Sequence, residues 1–540
     1  MSLLCCSWAL ATQPNILLLV AEDLSFRVGA FGDAVAHTPN IDSLAQQGVR
    51  YPNVFTAAGV CSPSRAALIT GQHQIAFGAQ HMRTSTYKMT DATGKKISAE
   101  YFAQPPTGLR AFPELLRQAG YYTFTDTKLD YQFSGIRAGS GPFTIWDDEG
   151  SNSHWRNRPT GKPFFGMINF METHESGVMR ANGPAVTPAH RQTQLWRRAS
   201  GLVSARVTAP ADVQLPSYYP DIPEVRQDMA RHYDNIRAMD ARVGRLLTQL
   251  KEDQLLDNTI VIWTTDHGDG LPRAKRELYD SGIKVPMIIR FPIPRDAPGS
   301  SDERLISMVD FAPTLLAMAG IAPLPYHHGD NFLKRQRDYI FASRDRIDEV
   351  PDRQRAVRDR RYKYIRSWHP DTPGGHPLAY RDNLDMVRAM RALFDKGTLT
   401  TAQARWFEGP GEEQLYDIRS DPEELHNLAA RSDMLAVKSR LSTVLTARLD
   451  DIGDTAIIAE DTMRAAFLNE GEIPTTPTPS AITTAQGIAL SSEVQASIGY
   501  RIGDGPWLLY SKPVSTTKLE AKAVRYGWRE SATIEYLLEP

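Results

Sequence analysis

Cys61 is the residue whose neighbours ask most clearly for chemistry. It opens the run Cys-Ser-Pro-Ser-Arg, and Leu68, Thr70 and Gly71 follow. The other cysteines, Cys5 and Cys6, are not spaced to staple a fold with it. Taken alone, a lone cysteine reads as a small buried hydrophobe. Its context is richer than that. Glu22 and Asp23 end the apolar run Asn15–Ala21 (NILLLVA), and Asp266 and His267 end a second run, Thr259–Thr265 (TIVIWTT). His174 follows a third, Phe164–Phe170 (FFGMINF). Continuous apolar runs that stop at polar residues look like central parallel strands, whose C-terminal ends deliver groups to a site. Singly, such acids read as solvated strand ends; an α/β sheet would bring them together.

The run CSPSRAALITG resembles the signature of type I sulfatases of the alkaline phosphatase superfamily, in which a maturing enzyme oxidises the cysteine to formylglycine. The likeness extends through most of residues 14–430. It includes PNILLLVAEDLS, HTPNIDSLA, the Asp266-His267-Gly268 turn, LYDSGIKVPMIIRFP and LYDIRSDPEELHNLA.

The resemblance implies hydrolysis of a sulfate ester, and the chemistry explains the parts. Anionic oxygens repel nucleophiles, so the site must neutralise charge and supply a strong nucleophile. A hydrated aldehyde gives one hydroxyl to attack sulfur and a second to expel sulfate by C–O cleavage. By the same resemblance Glu22, Asp23, Asp266 and His267 ligate a divalent ion beside position 61. The acids suit Ca²⁺, with Mg²⁺ as the alternative. Family members commonly have Asp where Glu22 stands.

Arg65 lies one helical turn after Cys61 and can reach back to it. Lys128, in DTKLDY, matches the family's Lys-x-His lysine, which contacts the nucleophile and the substrate anion; the usual histidine is Asp130 here. Asp130 then either takes the proton when the hemiacetal collapses or orients Lys128. His174, in METHES, resembles the histidine that faces the leaving-group oxygen. Lys275, in RAKRELYDSG, matches the lysine that binds sulfate and assists departure. Its neighbours Arg273 and Arg276 read as a solvated basic run. His73, His81, His327, His328 and His369 read mainly as packing or surface residues. Arg344, Arg346 and Arg358 are weak candidates for meeting a polyanionic substrate.

The elements that must position these groups alternate. Helical patterns at Ile41–Gly48, Phe112–Ala119 and Val225–Asp253 lie between the strands, with Val285–Phe291 as a fourth strand. This predicts an α/β fold with a large, mostly parallel sheet sandwiched by helices, alkaline-phosphatase-like, over residues 12–335. A smaller C-terminal α/β subdomain is expected over 336–470. It has a hairpin at Ala356–Ile365, a strand, turn and helix start across Leu415–Leu428, and a helix at Met434–Asp450. Pro474–Pro479 is a stiff linker. A small β-sandwich-like module over 480–540 resembles those appended to bacterial carbohydrate-active enzymes, though a structural plug is the plainer reading. Arg83–Gln104 and Arg180–Tyr219 carry no readable pattern.

The 540 residues are 41% hydrophobic and 23% charged, with a formal net charge of -2 from 61 basic and 63 acidic side chains. That balance gives no sign of a nucleic-acid or membrane-surface partner, and no run approaches a membrane span. A periplasmic or secreted location follows if Met1–Ala11 belongs to a signal, and a cytoplasmic one otherwise. The expected partners are a sulfated small molecule or carbohydrate and a formylglycine-generating enzyme. The competing readings are a phosphonate monoester or phosphodiester hydrolase of the same superfamily, and a non-catalytic sulfated-glycan binding protein.

Overall fold

The computed structural model describes residues 13–86, 88–90, 95–133 and 141–537; Met1–Ala11, considered above as a signal, lies outside them. At the centre is an eight-stranded sheet. In spatial order its strands are Ile306–Ser307, Val49–Phe55, Lys284–Arg290, Thr259–Thr265, Asn15–Ala21, Phe164–Phe170, Tyr122–Thr125 and Asp148–Glu149. Lys284–Arg290 runs antiparallel to both neighbours, and the remaining pairings are parallel.

The apolar runs are continuous because both faces of the sheet are covered. Ile16, Leu18 and Val20 face the helices Cys61–Thr70, Phe112–Gln118 and Phe311–Met318. Leu17, Leu19 and Ala21 face Pro39–Gln47 and the long helix Pro223–Glu252. Register fixes where the site forms. Ala21 lies opposite Phe170 on one side and Thr265 on the other. Glu22-Asp23, the turn before His174, and Asp266-His267 therefore leave three adjacent strands at one sheet edge.

A second, antiparallel sheet follows, in the order Ile340–Arg344, Gln354–Arg358, Tyr362–Ser367, Glu413–Asp417. Ala342, Ala356 and Ile365 pack toward Phe55 and Ile283. Val357, Tyr364 and Leu415 pack under Leu441 and Leu445 of the helix Leu435–Ile452. The helix expected to begin within Leu415–Leu428 does not form there; the chain turns instead, and Asp421 accepts the Leu425 and His426 amides. The patternless stretch Arg180–Tyr219 contains the helix Pro188–Ala199, which Thr187 caps by accepting the His190 amide at 3.0 Å.

Residues Ser480–Thr484 and Gly487–Ser491 form a hairpin, and Ser497–Arg501, Leu508–Leu509, Lys518–Val524 and Ile534–Leu537 a four-stranded sheet. This terminal part docks on the first layer through the fully buried Glu114. Its carboxylate accepts from Ser497 Oγ at 2.5 Å and Tyr526 OH at 2.6 Å. Among the described residues, no helix is long and apolar enough to cross a membrane.

Candidate active site

Cys61 begins a helix in which every residue is buried. Pro63 occupies the first turn, where an amide hydrogen has no intrahelical partner to lose. Ser64 donates to the Asp266 carbonyl at 2.6 Å, fixing the helix start against the Asp-His-Gly turn. Gly268 is required in that turn: a Cβ there would meet Ser281 O at 1.9 Å.

Asp23 is the hub. Its backbone is left-handed, at φ 49°, and its amide donates to Asp266 Oδ1 at 3.1 Å. Asp23 Oδ1 lies 3.0 Å from His267 Nε2 and 3.8 Å from Cys61 Sγ. Asp23 Oδ2 accepts from Lys275 Nζ at 2.5 Å and the Glu175 amide at 2.6 Å, with His174 Nε2 at 4.0 Å. His267 Nε2 stands 3.3 Å from Cys61 Sγ. Arg65 is held between acids: Nη2 pairs with Glu22 Oε1, Nε reaches Asp266 Oδ2 at 3.2 Å, and Nη1 donates to Asn169 Oδ1 at 2.7 Å. Lys128 Nζ sits 3.4 Å from Glu22 Oε2 and 3.5 Å from Asp130 Oδ2. Glu22, Asp23, Cys61, Arg65, Lys128, Asp130, His174, Asp266, His267 and Lys275 thus form one connected cluster.

The electrostatics follow from burial and these contacts. Burial opposes charge on Asp23, yet Lys275, His174 and His267 hold its carboxyl well below the usual carboxylate range. Burial also opposes charge on His267, but Asp266, Cys61 and Asp23 push it well above the usual imidazole range. Burial raises the Glu22 carboxyl against the pull of Arg65 and Lys128. His174 is held well below its usual range by burial and by Lys275. Lys128 and Lys275 are raised against their burial, by Glu22 and Asp23 respectively. Asp130 is also buried, but Lys128 and Arg83 hold it down to about 2.

The donor set fits a hard divalent cation. The ligand atoms of Asp23, Cys61, Asp266 and His267 all lie within 4.8 Å of one another, as do those of Glu22, Asp23, Cys61 and His174. Glu22 Oε2 is buried without a hydrogen-bond donor. His267 Nδ1 lies 3.0 Å from the Gly268 carbonyl, so that nitrogen donates and Nε2 is turned toward the cluster.

Some charges lie where the sequence did not place them. Arg273 and Arg276 are not solvated: both are buried. Arg273 stacks between Tyr218 and Tyr279, 4.5 and 4.2 Å from the ring centroids, and Arg276 pairs with Glu175. Arg344, Arg346 and Arg358 are themselves buried and pair with Glu277, Glu460 and Asp280, which leaves them poorly disposed to meet a polyanion. His73 is buried and stacked on His328, and His81 is buried 3.7 Å from Glu460. Glu175, Arg276 and Asn169 were missed as site residues. For Asn169 the signal was available, a polar residue near the end of a buried strand. Its side chain links Asp126 to Arg65.

Comparisons with known proteins give the family. The sequence profile of the Sulfatase family matches residues 14–143 and 151–321, and that of the N-sulphoglucosamine sulphohydrolase C-terminal region matches 273–372. An ulvan-active sulfatase of Formosa agariphila is 38% identical over 557 aligned positions, covering 97% of this chain and 91% of that protein. The human N-sulphoglucosamine sulphohydrolase is 26% identical over 324 positions, 57% of this chain and 61% of that protein. Two solved structures share the fold. One, a complex with its substrate D-glucosamine-2-N,6-O-disulfate, has a TM-score of 0.54 at 19% identity, over 82% of this chain and 98% of that one. The other, a phosphonate monoester hydrolase of Agrobacterium radiobacter, has a TM-score of 0.51 at 18% identity, over 88% and 99%. With the signature at Cys61, the acids and histidines after three strand ends and these matches, the chain belongs to the sulfatase family, sulfuric ester hydrolases of the alkaline phosphatase superfamily.

Proposed function

We propose that the chain hydrolyses a sulfate monoester carried on a carbohydrate, using an aldehyde hydrate made from Cys61 beside a divalent cation. The observation that carries this reading is the clustering of Asp23, Cys61, Asp266 and His267 ligand atoms within 4.8 Å. Glu22, Asp23, Asp266 and His267 would hold the cation with position 61, Ca²⁺ ahead of Mg²⁺ because several carboxylate oxygens converge. When bound, the cation would neutralise sulfate charge and acidify the nucleophilic hydroxyl. Oxidised by a formylglycine-generating enzyme and hydrated, position 61 would supply the two hydroxyls that let sulfur be attacked and sulfate be released without water attacking sulfur.

The remaining roles fall to the chain's own side chains. Arg65 keeps Glu22 and Asp266 in place and adds positive charge behind position 61. Lys128 and Lys275, both protonated, flank the place of the sulfate and bind its oxygens. His174 is oriented by Nδ1, 3.0 Å from Ser176 Oγ, which aims Nε2 inward. An arriving sulfate offsets the Lys275 charge that depresses His174, raising the imidazole toward a range where it can protonate the leaving oxygen. Asp130, ionised and beside Lys128, takes the proton released when the hemiacetal collapses.

Relatives named for ulvan and for N-sulphoglucosamine support a carbohydrate sulfate over an aryl sulfate. We assign catalysis to residues 12–335, with 336–470 closing one side of the site and 480–540 packing as a structural plug. The test is a side-by-side rate comparison of 4-nitrophenyl sulfate and a phenyl phosphonate ester on matured enzyme. The sulfate should be the better substrate, and a much faster phosphonate would replace this reading with the phosphonate hydrolase one. Glycan binding that survives Cys61→Ala, with no turnover by matured protein, would instead indicate a binding protein.

A further inference from the structure

Arg83 stands apart from the other cations around Cys61. Arg65, Lys128, Lys275 and Arg276 are each buried or largely covered and each paired with a carboxylate. The Arg83 side chain is exposed and, among the described residues, makes no hydrogen bond or close ion pair. Its backbone is fixed on both sides. Met82 packs with Val60, Cys61 and Ile347, and its amide donates to the Arg346 carbonyl at 3.0 Å. The Thr84 amide donates to Gln132 Oε1 at 3.1 Å, two residues beyond Asp130. Arg83 is therefore suspended between the helix start at Cys61 and the turn at Asp130.

It adopts a left-handed backbone, φ 60°, which a long side chain seldom takes without constraint. The groups that feel its charge are Asp130, Cys61, Asp348 and Tyr380, and it helps to depress His174. Asp130 and Asp348 keep the guanidinium charged. Its charge reaches His174 and Tyr380 as well as Asp130, so it acts on the pocket that its backbone borders between Cys61 and Asp130. A free guanidinium fork at such a position suits bidentate contact with a planar or tetrahedral oxyanion.

We propose that Arg83 binds a second anionic group of the substrate, a carboxylate or a second sulfate ester on the saccharide that carries the scissile sulfate. This rests on the sulfatase reading above, with His174 facing the leaving group. Arg83 would then decide which sulfated sugars are accepted, leaving attack at sulfur to the residues around position 61.

The test compares kcat/KM within matched pairs on matured wild type, Arg83→Asn and Arg83→Lys. Asn tolerates the left-handed backbone and removes the charge; Lys keeps the charge without the fork. One pair is a sulfated, uronate-bearing oligosaccharide and its carboxyl-reduced form. The other is D-glucosamine-2-N,6-O-disulfate and D-glucosamine-6-sulfate. Wild type should favour the doubly charged member of one pair tenfold or more, and which pair it is identifies carboxylate or sulfate. Arg83→Asn should bring that ratio close to unity, with Arg83→Lys between. A ratio unchanged by Arg83→Asn overturns the proposal, as does a wild type that hydrolyses 4-nitrophenyl sulfate yet favours neither doubly charged member. Failure of matured wild type to release sulfate from 4-nitrophenyl sulfate and from every one of these saccharides strikes the sulfatase reading, and this proposal falls with it.

Discussion

Arg276 grips Glu175 through both terminal guanidinium nitrogens, at 2.8 and 2.9 Å. The pair is buried, and it ties the segment carrying Lys275 to the turn carrying His174. Glu175 also gives its amide to Asp23. Removing one partner of a buried pair leaves the other charge uncompensated, at a cost of about 3–5 kcal/mol. Glu175→Gln keeps the volume and should lower the urea midpoint accordingly. It should also lower kcat by roughly tenfold or more through small displacements of Lys275 and His174. Wild-type stability and kcat in this variant would show that the fork positions nothing.

Calcium should stabilise the fold as well as the reaction. Glu22, Asp23 and Asp266 are fully buried at one sheet edge, where their mutual repulsion would be relieved further by a bound cation. A cation that binds the folded chain alone contributes about 2.7 kcal/mol at a hundredfold excess over Kd. Adding Ca²⁺ to chelator-treated protein should therefore raise Tm and restore turnover. Asp266→Asn should respond much less. A Tm indifferent to Ca²⁺ in wild type would remove the cation from this site.

Asp130 stands where the family resemblance leads one to expect a histidine, and Lys128 and Arg83 hold its buried carboxyl down to about 2. Asp130→Asn preserves size and suits the left-handed backbone at φ 60°. If Asp130 accepts the proton at collapse, kcat should fall by about 10²-fold, within the range for a lost general base. The thermal midpoint should change little. An effect confined to KM would restrict Asp130 to orienting Lys128.

His376 gives the fold an acid-sensitive element outside the proposed catalytic residues. It is buried, with Nδ1 2.8 Å from the Pro373 carbonyl and Nε2 unpartnered. Burial, then Arg381 and Arg344, hold its pKa down to about 4. Between about pH 4 and 6.5 the unfolded chain binds the proton and the folded chain does not, so stability rises with pH across that window and is lost as pH falls through it. At about 1.4 kcal/mol per unit the ceiling is about 3 kcal/mol. Denaturant titrations from pH 7 to 4.5 should show a shallower loss for His376→Gln than for wild type. Identical slopes would place the acid sensitivity elsewhere.

The sequence was most legible where chemistry is local. Cys61 and Arg65 share one helix turn, and the runs Asn15–Ala21 and Thr259–Thr265 stop at Glu22 and Asp266, so motif and hydrophobic pattern pointed to these residues. It was least legible where charges meet across the fold. Arg276 and Glu175 are separated by 101 positions and Arg344 and Glu277 by 67; nothing local distinguishes such buried arginines from a solvated basic run. Arg83 was passed over for the opposite reason. Its position comes from Met82 and Thr84 being fastened to different elements, a constraint that leaves no periodicity. The helix Pro188–Ala199 is an intermediate case, signalled by Thr187-Pro188 but carrying so few apolar residues that no stripe is visible.

The central claim is that position 61 acts as an aldehyde. The direct measurement is mass spectrometry of the peptide containing residue 61, made on the same preparations whose 4-nitrophenyl sulfate turnover is recorded. Turnover should rise in proportion to the fraction of chains that is roughly 18 Da lighter than the thiol form, as thiol-to-aldehyde conversion requires, and should vanish in Cys61→Ala. Full activity in a preparation whose residue 61 is entirely thiol would contradict the account.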